Sequence, residues 1–172
     1  MAITINGNGT ITGVTSGAGK VLQVVQTVKQ DSFSASVSEN NFSAITGLSA
    51  SITPSSTSSK ILVMFSVMTS MEGTNGTPGI VLYRNGSALS GARGTSGSYN
   101  LTAFCTMVYA TNLPGGNVNF QYLDSPSSTS QQTYQCYLGS DQSGNYQCGV
   151  NRTRSGNQEG AASSITLMEI QG

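Results

Sequence analysis

The chain has 172 residues, a formal net charge of zero and only 8% charged residues. Such a length fits one domain that buries a hydrophobic core without metals or disulfides, and the low charge argues against nucleic acid or an anionic membrane as a partner. Hydrophobic residues make up 37% of the chain and fall in strand-like runs, which argues against disorder.

The first 19 residues predict a separate N-terminal β arm. Apolar side chains alternate with polar ones on both sides of a Gly-Asn-Gly turn, and an isolated hairpin is only marginally stable in water. We therefore interpret residues 1–19 as an attachment segment that needs a neighbouring surface. The alternative is a frayed terminus or a first strand of the main domain. The side chains predicted to make this attachment are Ile3, Ile5, Ile11 and Val14.

Residues 20–172 predict a head domain made of consecutive β-strands. The run VLQVVQTV at 21–28 has two partly apolar faces, which is typical of a strand between a core and a second buried surface, often another subunit. The run KILVMFSVMTSM at 60–71 is the most hydrophobic in the chain and is expected to be a central strand. The residues predicted to form the core or a subunit interface are Val21, Val25, Ile61, Val63 and Phe65.

Turn signals separate these strands. Residues 54–59, PSSTSS, join the strand-like run before them to the hydrophobic run at 60–71, and Asn85 with Gly86 favours a two-residue type I′ hairpin turn. No helix is expected. Many short strands at this spacing predict an all-β antiparallel sandwich, with the jelly roll as its most specific form. The further strands are expected at 101–109, 118–123, 133–138, 146–151 and 164–170.

The search for catalytic groups is negative. The sequence contains no histidine, which removes Ser-His-Asp and Cys-His arrangements and the commonest metal ligand. The seven acidic residues show no spacing that indicates the paired carboxylates of a glycoside hydrolase, and no helix follows the glycine-rich turns to hold a phosphate. We therefore expect no enzymatic activity, no metal and no cofactor.

The three cysteines, Cys105, Cys136 and Cys148, show no CxxC spacing. We expect them to be reduced and partly buried, because disulfides are rare in proteins made in the cytosol. The alternative pairs Cys136 with Cys148 across a hairpin that turns at 141–144.

No segment indicates a membrane span or an export signal. No apolar run reaches the roughly 18 residues that cross a bilayer. The N-terminus lacks both the basic part and the continuous apolar part of a signal peptide. We expect neither membrane insertion nor secretion.

Four residues in or near predicted loops are candidate recognition residues. Loop tyrosines among Ser, Asn and Gly form adaptable binding surfaces, and a loop arginine binds a carboxylate or an acidic sugar through paired hydrogen bonds. The alternatives are solvated arginines and tyrosines packed inside the sandwich. The candidates, for a glycan or protein ligand, are Tyr99, Asp141, Tyr146 and Arg152.

Four segments resemble proteins of tailed bacteriophages. They are ITINGNGTITGV at 3–14, GKVLQVVQTVKQDSFS at 19–34, ITGLSASITPSSTSSKILV at 45–63 and SSITLMEI at 163–170. Together they make the whole chain similar to small virion structural proteins with a tail-fibre-type globular head. Such heads resemble the jelly rolls of the tumour necrosis factor and complement globular-head families, which implies a homotrimer packed about a threefold axis. No long repeat or coiled coil stands between the arm and the head.

The resemblance implies a non-enzymatic virion component that is made in the host cytoplasm. In this hypothesis the head is a homotrimeric short tail fibre that faces a receptor, and the arm docks it on the particle. A capsid decoration protein, of the cement or head-fibre kind, is the first alternative. A free carbohydrate-binding or glycan-degrading protein is the second. The expected partners are other copies of the chain, tail or capsid proteins and a host-surface glycan or protein.

Overall fold

The computed structural model describes residues 4–5, 11–12, 19–72, 76–95, 101–105, 115–152 and 160–172. Within these ranges the chain is almost entirely β-structure, with one short 3-10 turn at Ser90–Ala92. None of the described residues belongs to a helix long and apolar enough to span a membrane. The strands are β1 Thr4–Ile5, β2 Ile11–Thr12, β3 Val21–Lys29, β4 Phe33–Val37, β5 Ser43–Ile52, β6 Lys60–Met71, β7 Pro78–Arg84, β8 Ser87–Ala88, β9 Ala103–Phe104, β10 Gly115–Asp124, β11 Gln132–Ser140, β12 Tyr146–Val150 and β13 Ser163–Ile170.

The first sheet is built around β6, the most hydrophobic strand. β10 pairs with one edge of β6 along nearly its whole length. β13 and then β12 share the other edge, and β3 and β4 pair with the outer edges of β13 and β12. The sheet is therefore four strand positions wide, in the order β3/β4, β13/β12, β6, β10. The prediction that the run at 60–71 forms a central strand is confirmed.

The second sheet has the order β5, β11, β7, and then β8 and β9, which share the outer edge of β7. The pairing of β11 with β5 shifts register between Gln135 and Tyr137. Gly47 lies in this irregular part of β5 with a φ of +80°, a left-handed conformation that glycine adopts at little cost. Here β5 approaches the end of β3 of the first sheet, since a Cβ added at Gly47 would lie 3.7 Å from Lys29 Nζ.

The connections between the strands define a jelly roll. In chain order, the path goes from β3/β4 to β5, β6 and β7, so that it crosses between the sheets at each step. It then stays in the second sheet for β8 and β9 and crosses again for β10, β11 and β12/β13. Two antiparallel four-position sheets connected in this way are the double Greek key of a jelly roll. The predicted all-β antiparallel sandwich is confirmed.

Alternating burial shows how the sequence places its core. Along β6, the side chains of Ile61, Val63, Phe65 and Val67 are buried, and the residues between them are only partly buried. The same alternation in β13 buries residues at every second position. Because successive side chains of a strand point to opposite faces, each sheet gives one set to the shared core and keeps another set outside.

Two local predictions are also confirmed. Asn85 and Gly86 join β7 to β8 with φ angles of 49° and 79°, the positive values that a type I′ turn requires. Cys105, Cys136 and Cys148 are buried free thiols. The alternative pairing is wrong, because Cys136 lies in β11 of the second sheet and Cys148 in β12 of the first, so the hairpin that it requires does not form. Burial, followed by the charges of nearby acidic groups, raises the pKa of the Cys148 thiol to about 12.

Two sequence-based expectations fall partly outside the described residues. In the arm, β1 and β2 pair in antiparallel fashion with Ile5 opposite Ile11, whereas Ile3 and Val14 lie outside the described ranges. The attachment role of the arm stays a prediction. Of the strand expected at 101–109, the described part contains only β9, and residues 106–109 lie outside.

Candidate functional site

The outer face of the first sheet is the most distinctive surface of the described chain. Its side chains alternate with the core residues of four strands and, between Lys60 at one end and Arg152 at the other, carry no charge. Lys60 stands at its border, where its Nζ donates a hydrogen bond to Ser125 Oγ at 2.8 Å. We call this surface the uncharged face. Its residues are Leu22, Val24, Gln26 and Val28 of β3, Ser164, Thr166, Met168 and Ile170 of β13, Leu62, Met64, Ser66 and Met68 of β6, and Asn117, Asn119, Gln121 and Leu123 of β10.

A continuous apolar row crosses this face. Met168 is paired with Val24 on one side and with Leu62 on the other, and Leu62 is paired with Leu123. Directly opposite side chains lie about 5 Å apart, so the row spans about 14 Å across four strands. Val24 is 54% exposed and Leu123 is 51% exposed. The two ends of the row are thus the most open, as expected of a surface that lacks its cover.

The neighbouring row is polar but also uncharged. Gln26, Thr166, Met64 and Gln121 lie opposite one another across the same four strands. Gln26 Nε2 donates a hydrogen bond to Thr166 Oγ1 at 2.9 Å. Amide and hydroxyl groups can satisfy their hydrogen bonds in an interface without the desolvation cost of an ion. The uncharged face therefore combines an apolar row with polar groups that tolerate burial.

The residues predicted for the core or interface fall mainly on the opposite side of these strands. Ile61, Val63 and Phe65 are buried in the core, and Val25 packs against it. Val21, at the start of β3, is exposed. The sequence thus indicated core residues of β6 and β3, whereas a subunit interface on these strands stays a prediction, and the outward residues between the predicted ones were missed. The signal that could have identified them is the second apolar set in each strand, which includes Val24 and Leu62.

A buried carboxylate clamps the 54–59 turn onto the first sheet. Glu169 is 0% exposed. Its Oε1 accepts hydrogen bonds from Ser55 N at 2.7 Å, Ser55 Oγ at 2.6 Å and Ser59 Oγ at 2.7 Å, and its Oε2 accepts one from Gln23 Nε2 at 2.6 Å. Burial raises the pKa of this carboxyl, but the four hydrogen bonds outweigh burial and lower it to about 2. Glu169 is therefore an ionised structural anchor, which the sequence analysis missed.

Two ion pairs also hold parts of the fold together and form no candidate site. Asp124 Oδ2 accepts hydrogen bonds from Arg84 Nη1 at 2.6 Å and from the Tyr134 hydroxyl at 2.7 Å, which closes the end of the core near the 54–59 turn. Lys29 is buried and pairs with the exposed Asp31 at 2.7 Å. In the described part of the chain, no group of three or more His, Cys, Asp or Glu side chains is placed to hold a metal ion.

The predicted recognition residues do not form one cluster. Asp141 and Tyr146 lie at the end of the sandwich where β6 finishes. There Asp141 Oδ1 accepts hydrogen bonds from Thr77 N at 2.6 Å and Gln142 Nε2 at 3.1 Å, and Tyr146 packs partly against the core. Arg152 lies against Gly149 on the outer side of the first sheet, in a small crevice that includes Glu72. Tyr99 is outside the described residues.

The chain enters the head at the opposite end from Asp141 and Tyr146. Gly19 N donates a hydrogen bond to Gln171 O at 3.0 Å, and Gln171 N donates one to Lys20 O at 2.8 Å. Gly19 and Lys20, where the arm joins the head, therefore lie beside the last residues of β13 and the 54–59 turn. The twelve residues of β6 separate the two ends by about 35 Å.

No protein-family model and no curated protein sequence matches the chain. Solved structures of infectious bursal disease virus do match. A mutant VP2 protein in derived T=1 particles is 13% identical with a TM-score of 0.43, over 99% of this chain and 40% of its own length. The structure of the Gt strain is 13% identical with a TM-score of 0.42, over 99% of this chain and 40% of its own length. The structure of the Gx strain is 16% identical with a TM-score of 0.40, over 88% of this chain and 36% of its own length. The chain thus spans about two fifths of the length of these proteins.

Proposed function

We propose that this chain is a non-enzymatic structural protein of a bacteriophage virion that forms a homotrimer through the uncharged face. The observation that carries the proposal is the apolar row of Val24, Met168, Leu62 and Leu123, which crosses a four-strand surface without a charged side chain. Contiguous apolar surface of this kind marks an interaction site on a folded protein.

Magnitudes favour association through this face. Covering a half-exposed Val or Leu side chain stabilises a complex by roughly 1 kcal/mol, since complete burial contributes about 1.5–3 kcal/mol. Val24, Val28, Leu22 and Leu123 are all at least 40% exposed, and the absence of charge on the face removes the desolvation penalty of ions. The strand spacing and rise give the face roughly 500 Å² of projected area, which suits a specific interface of about 800 Å² of accessible surface per partner.

The threefold arrangement comes from the resemblance to tumour necrosis factor and complement heads. The strand order supports it, because such heads pack one sheet of a jelly roll against their neighbours. In a closed ring of three copies, each head contacts both others and leaves no open interface for further growth.

The two ends of the head support attachment through the arm. The arm joins the head beside Gln171, and the loops with Asp141 and Tyr146 lie about 35 Å away at the other end. A head held to a particle by residues 1–19 would direct those loops outward. This layout suits a short tail fibre, which is the assignment we propose. The alternative is a capsid decoration protein, and the position of the subunit on the particle would distinguish the two.

Sedimentation of two face variants tests the trimer. We expect the wild-type protein to sediment as a trimer and Val24→Asp or Leu123→Asp to sediment as a monomer, because each change places a charge within the buried interface. Both positions are more than half exposed in a single head, so the variants should keep wild-type circular dichroism. The matched control is Thr46→Asp, at an exposed position of β5 in the second sheet, and it should remain trimeric. A wild-type monomer at micromolar concentration would overturn the trimer.

Locating the subunit tests the virion role and the arm. We expect purified particles to contain the chain, and electron microscopy with a labelled head to place it at the tail rather than over the capsid. A double variant Ile5→Asp and Ile11→Asp should still form trimers but should be missing from particles, since its arm has lost its apolar side chains. Particles without the wild-type chain would contradict the virion role.

A further inference from the structure

The outer face of the second sheet differs in chemistry from the uncharged face. Its central strands present two tyrosines together with the hydroxyl and amide groups of Ser, Thr and Gln side chains. Arg93, from the loop after β8, lies at one side of it. Ser51 Oγ and Thr133 Oγ1 share a hydrogen bond of 2.8 Å across β5 and β11. We call this surface the tyrosine face. Its residues are Ser49, Ser51, Thr133, Gln135, Tyr137 and Tyr83, with Phe42 and Arg93 at one side.

Tyr83 and Tyr137 form a fixed aromatic pair. Their ring centroids are 3.6 Å apart and their planes differ by 15°, and both side chains are half-buried. Burial and the neighbouring Tyr137 raise the pKa of Tyr83, and the positive charge of Arg93 partly opposes this effect. The two stacked, half-buried rings are held in one orientation, which reduces the entropy lost when a ligand binds.

A second aromatic group continues the surface. The guanidinium carbon of Arg93 lies 5.5 Å from the centre of the Phe42 ring. Phe42 covers Gly139, where an added Cβ would come within 2.8 Å of Phe42 Cδ1. Gly139 follows Tyr137 by two residues on the same face of β11, a separation of about 7 Å. Beside it, Ser90, Arg93, Gly94 and Thr95 line an open depression of about 300 Å³.

We propose that the tyrosine face binds an acidic saccharide, with the pyranose rings against Tyr83 and Tyr137 and a carboxylate at Arg93. Tyrosine contributes a large, rigid contact surface with a polar tip, and Ser, Thr and Gln supply adaptable hydrogen bonds. A guanidinium binds a carboxylate through two parallel hydrogen bonds. Arg93 brings a positive charge to this face, which favours an anionic ligand. Binding does not require the trimer, although a trimer closed through the uncharged face would leave the tyrosine face open.

Calorimetric titration with acidic and neutral oligosaccharides tests the proposal. The acidic probes are oligogalacturonate and oligosialic acid, and the neutral probe is maltohexaose. We expect the intact chain to bind at least one acidic probe with a dissociation constant below about 1 mM. Tyr137→Ala should weaken that binding at least about tenfold, whereas Tyr137→Phe, which keeps the ring, should change it less than about threefold.

Arg93→Gln separates the charge from the aromatic surface. We expect this variant to keep the circular dichroism of the wild type, to weaken binding of the acidic probe by about tenfold, and to leave any binding of maltohexaose unaffected. If Tyr137→Ala fails to fold, Arg93→Gln decides the test. Two results would overturn the proposal: no saturable binding of either acidic probe up to about 10 mM, or wild-type affinity in both variants. The first would leave the tyrosine face to a protein partner. Because sedimentation measures the trimer separately, neither result bears on assembly.

Discussion

The uncharged face and the tyrosine face cover opposite sides of one core. Their inward neighbours are alike, since β6 and β11 both bury every second side chain between the sheets. Their outward residues are not alike. The first sheet presents Val, Leu and Met with uncharged amides, and the second presents Tyr, Ser, Thr and Gln beside Arg93. Both sheets pack against the same core, so the core does not explain this difference. We attribute it to what each face contacts outside the subunit.

The comparison separates two kinds of binding surface. Aliphatic side chains make no hydrogen bonds and gain free energy only when water is removed, so the uncharged face suits permanent burial in an assembly. Tyrosine, serine and arginine are stable in water and also bind a ligand that arrives and leaves. We therefore propose one sheet for assembly and the other for recognition.

The largest expected effect distinguishes the two sides of β6. Leu62 points outward and Val63 is fully buried. We expect Val63→Asp to unfold the head, because an unpaired charge in the core costs more than about 4 kcal/mol. We expect Leu62→Asp to leave a folded monomer. Circular dichroism and sedimentation of both variants measure the contrast, and a trimeric Val63→Asp protein would show that the inward assignment is wrong.

An intermediate effect concerns Glu169, which anchors the turn between the two sheets. Its folded-state pKa of about 2 lies below its ordinary value of 4.5. The stability that comes from the ionised carboxylate is therefore complete above about pH 4.5 and is lost as the pH falls towards 2. We expect a loss on the order of 2–3 kcal/mol, measured by urea unfolding between pH 6 and pH 2.5.

The variant Glu169→Gln tests the same anchor. It should be less stable than wild type at neutral pH and should show a flatter pH dependence, because its amide does not titrate and offers one acceptor fewer to Ser55, Ser59 and Gln23. Glu72→Gln is the matched control, since Glu72 is exposed. If Glu169→Gln retains the full acid dependence of wild type, other carboxyl groups must account for it.

The smallest expected effect is that of salt. The proposed trimer interface has no charges within the uncharged face to screen, so raising sodium chloride from about 0.05 M to about 0.5 M should change the trimer dissociation constant less than about threefold. Binding of an acidic saccharide at Arg93 should weaken over the same range, since the interaction is partly ionic. Sedimentation and calorimetry at both salt concentrations provide the comparison. A strongly salt-sensitive trimer would indicate an interface elsewhere.

Local patterns in the sequence were sufficient for much of the fold. The Asn85–Gly86 pair predicted its type I′ turn because few other pairs adopt two positive φ angles. The hydrophobic run of β6 predicted a central strand with Ile61 and Val63 in the core. The positions of residues that meet across the fold were harder to predict from the sequence. Asp141 and Arg152 are near in sequence, but Asp141 binds the backbone of Thr77, whereas Arg152 lies against Gly149 of β12.

The sequence by itself determined the class of the fold, through alternation, turn residues and a supply of apolar side chains large enough for one core. Only the tertiary structure decided which apolar set faces outward, because a two-sided strand has the same pattern whichever face is buried. It also decided that Glu169 serves the 54–59 turn, more than a hundred residues away in the chain, and that Tyr83 and Tyr137 meet on neighbouring strands. Such contacts depend on strand order, which local propensity does not encode.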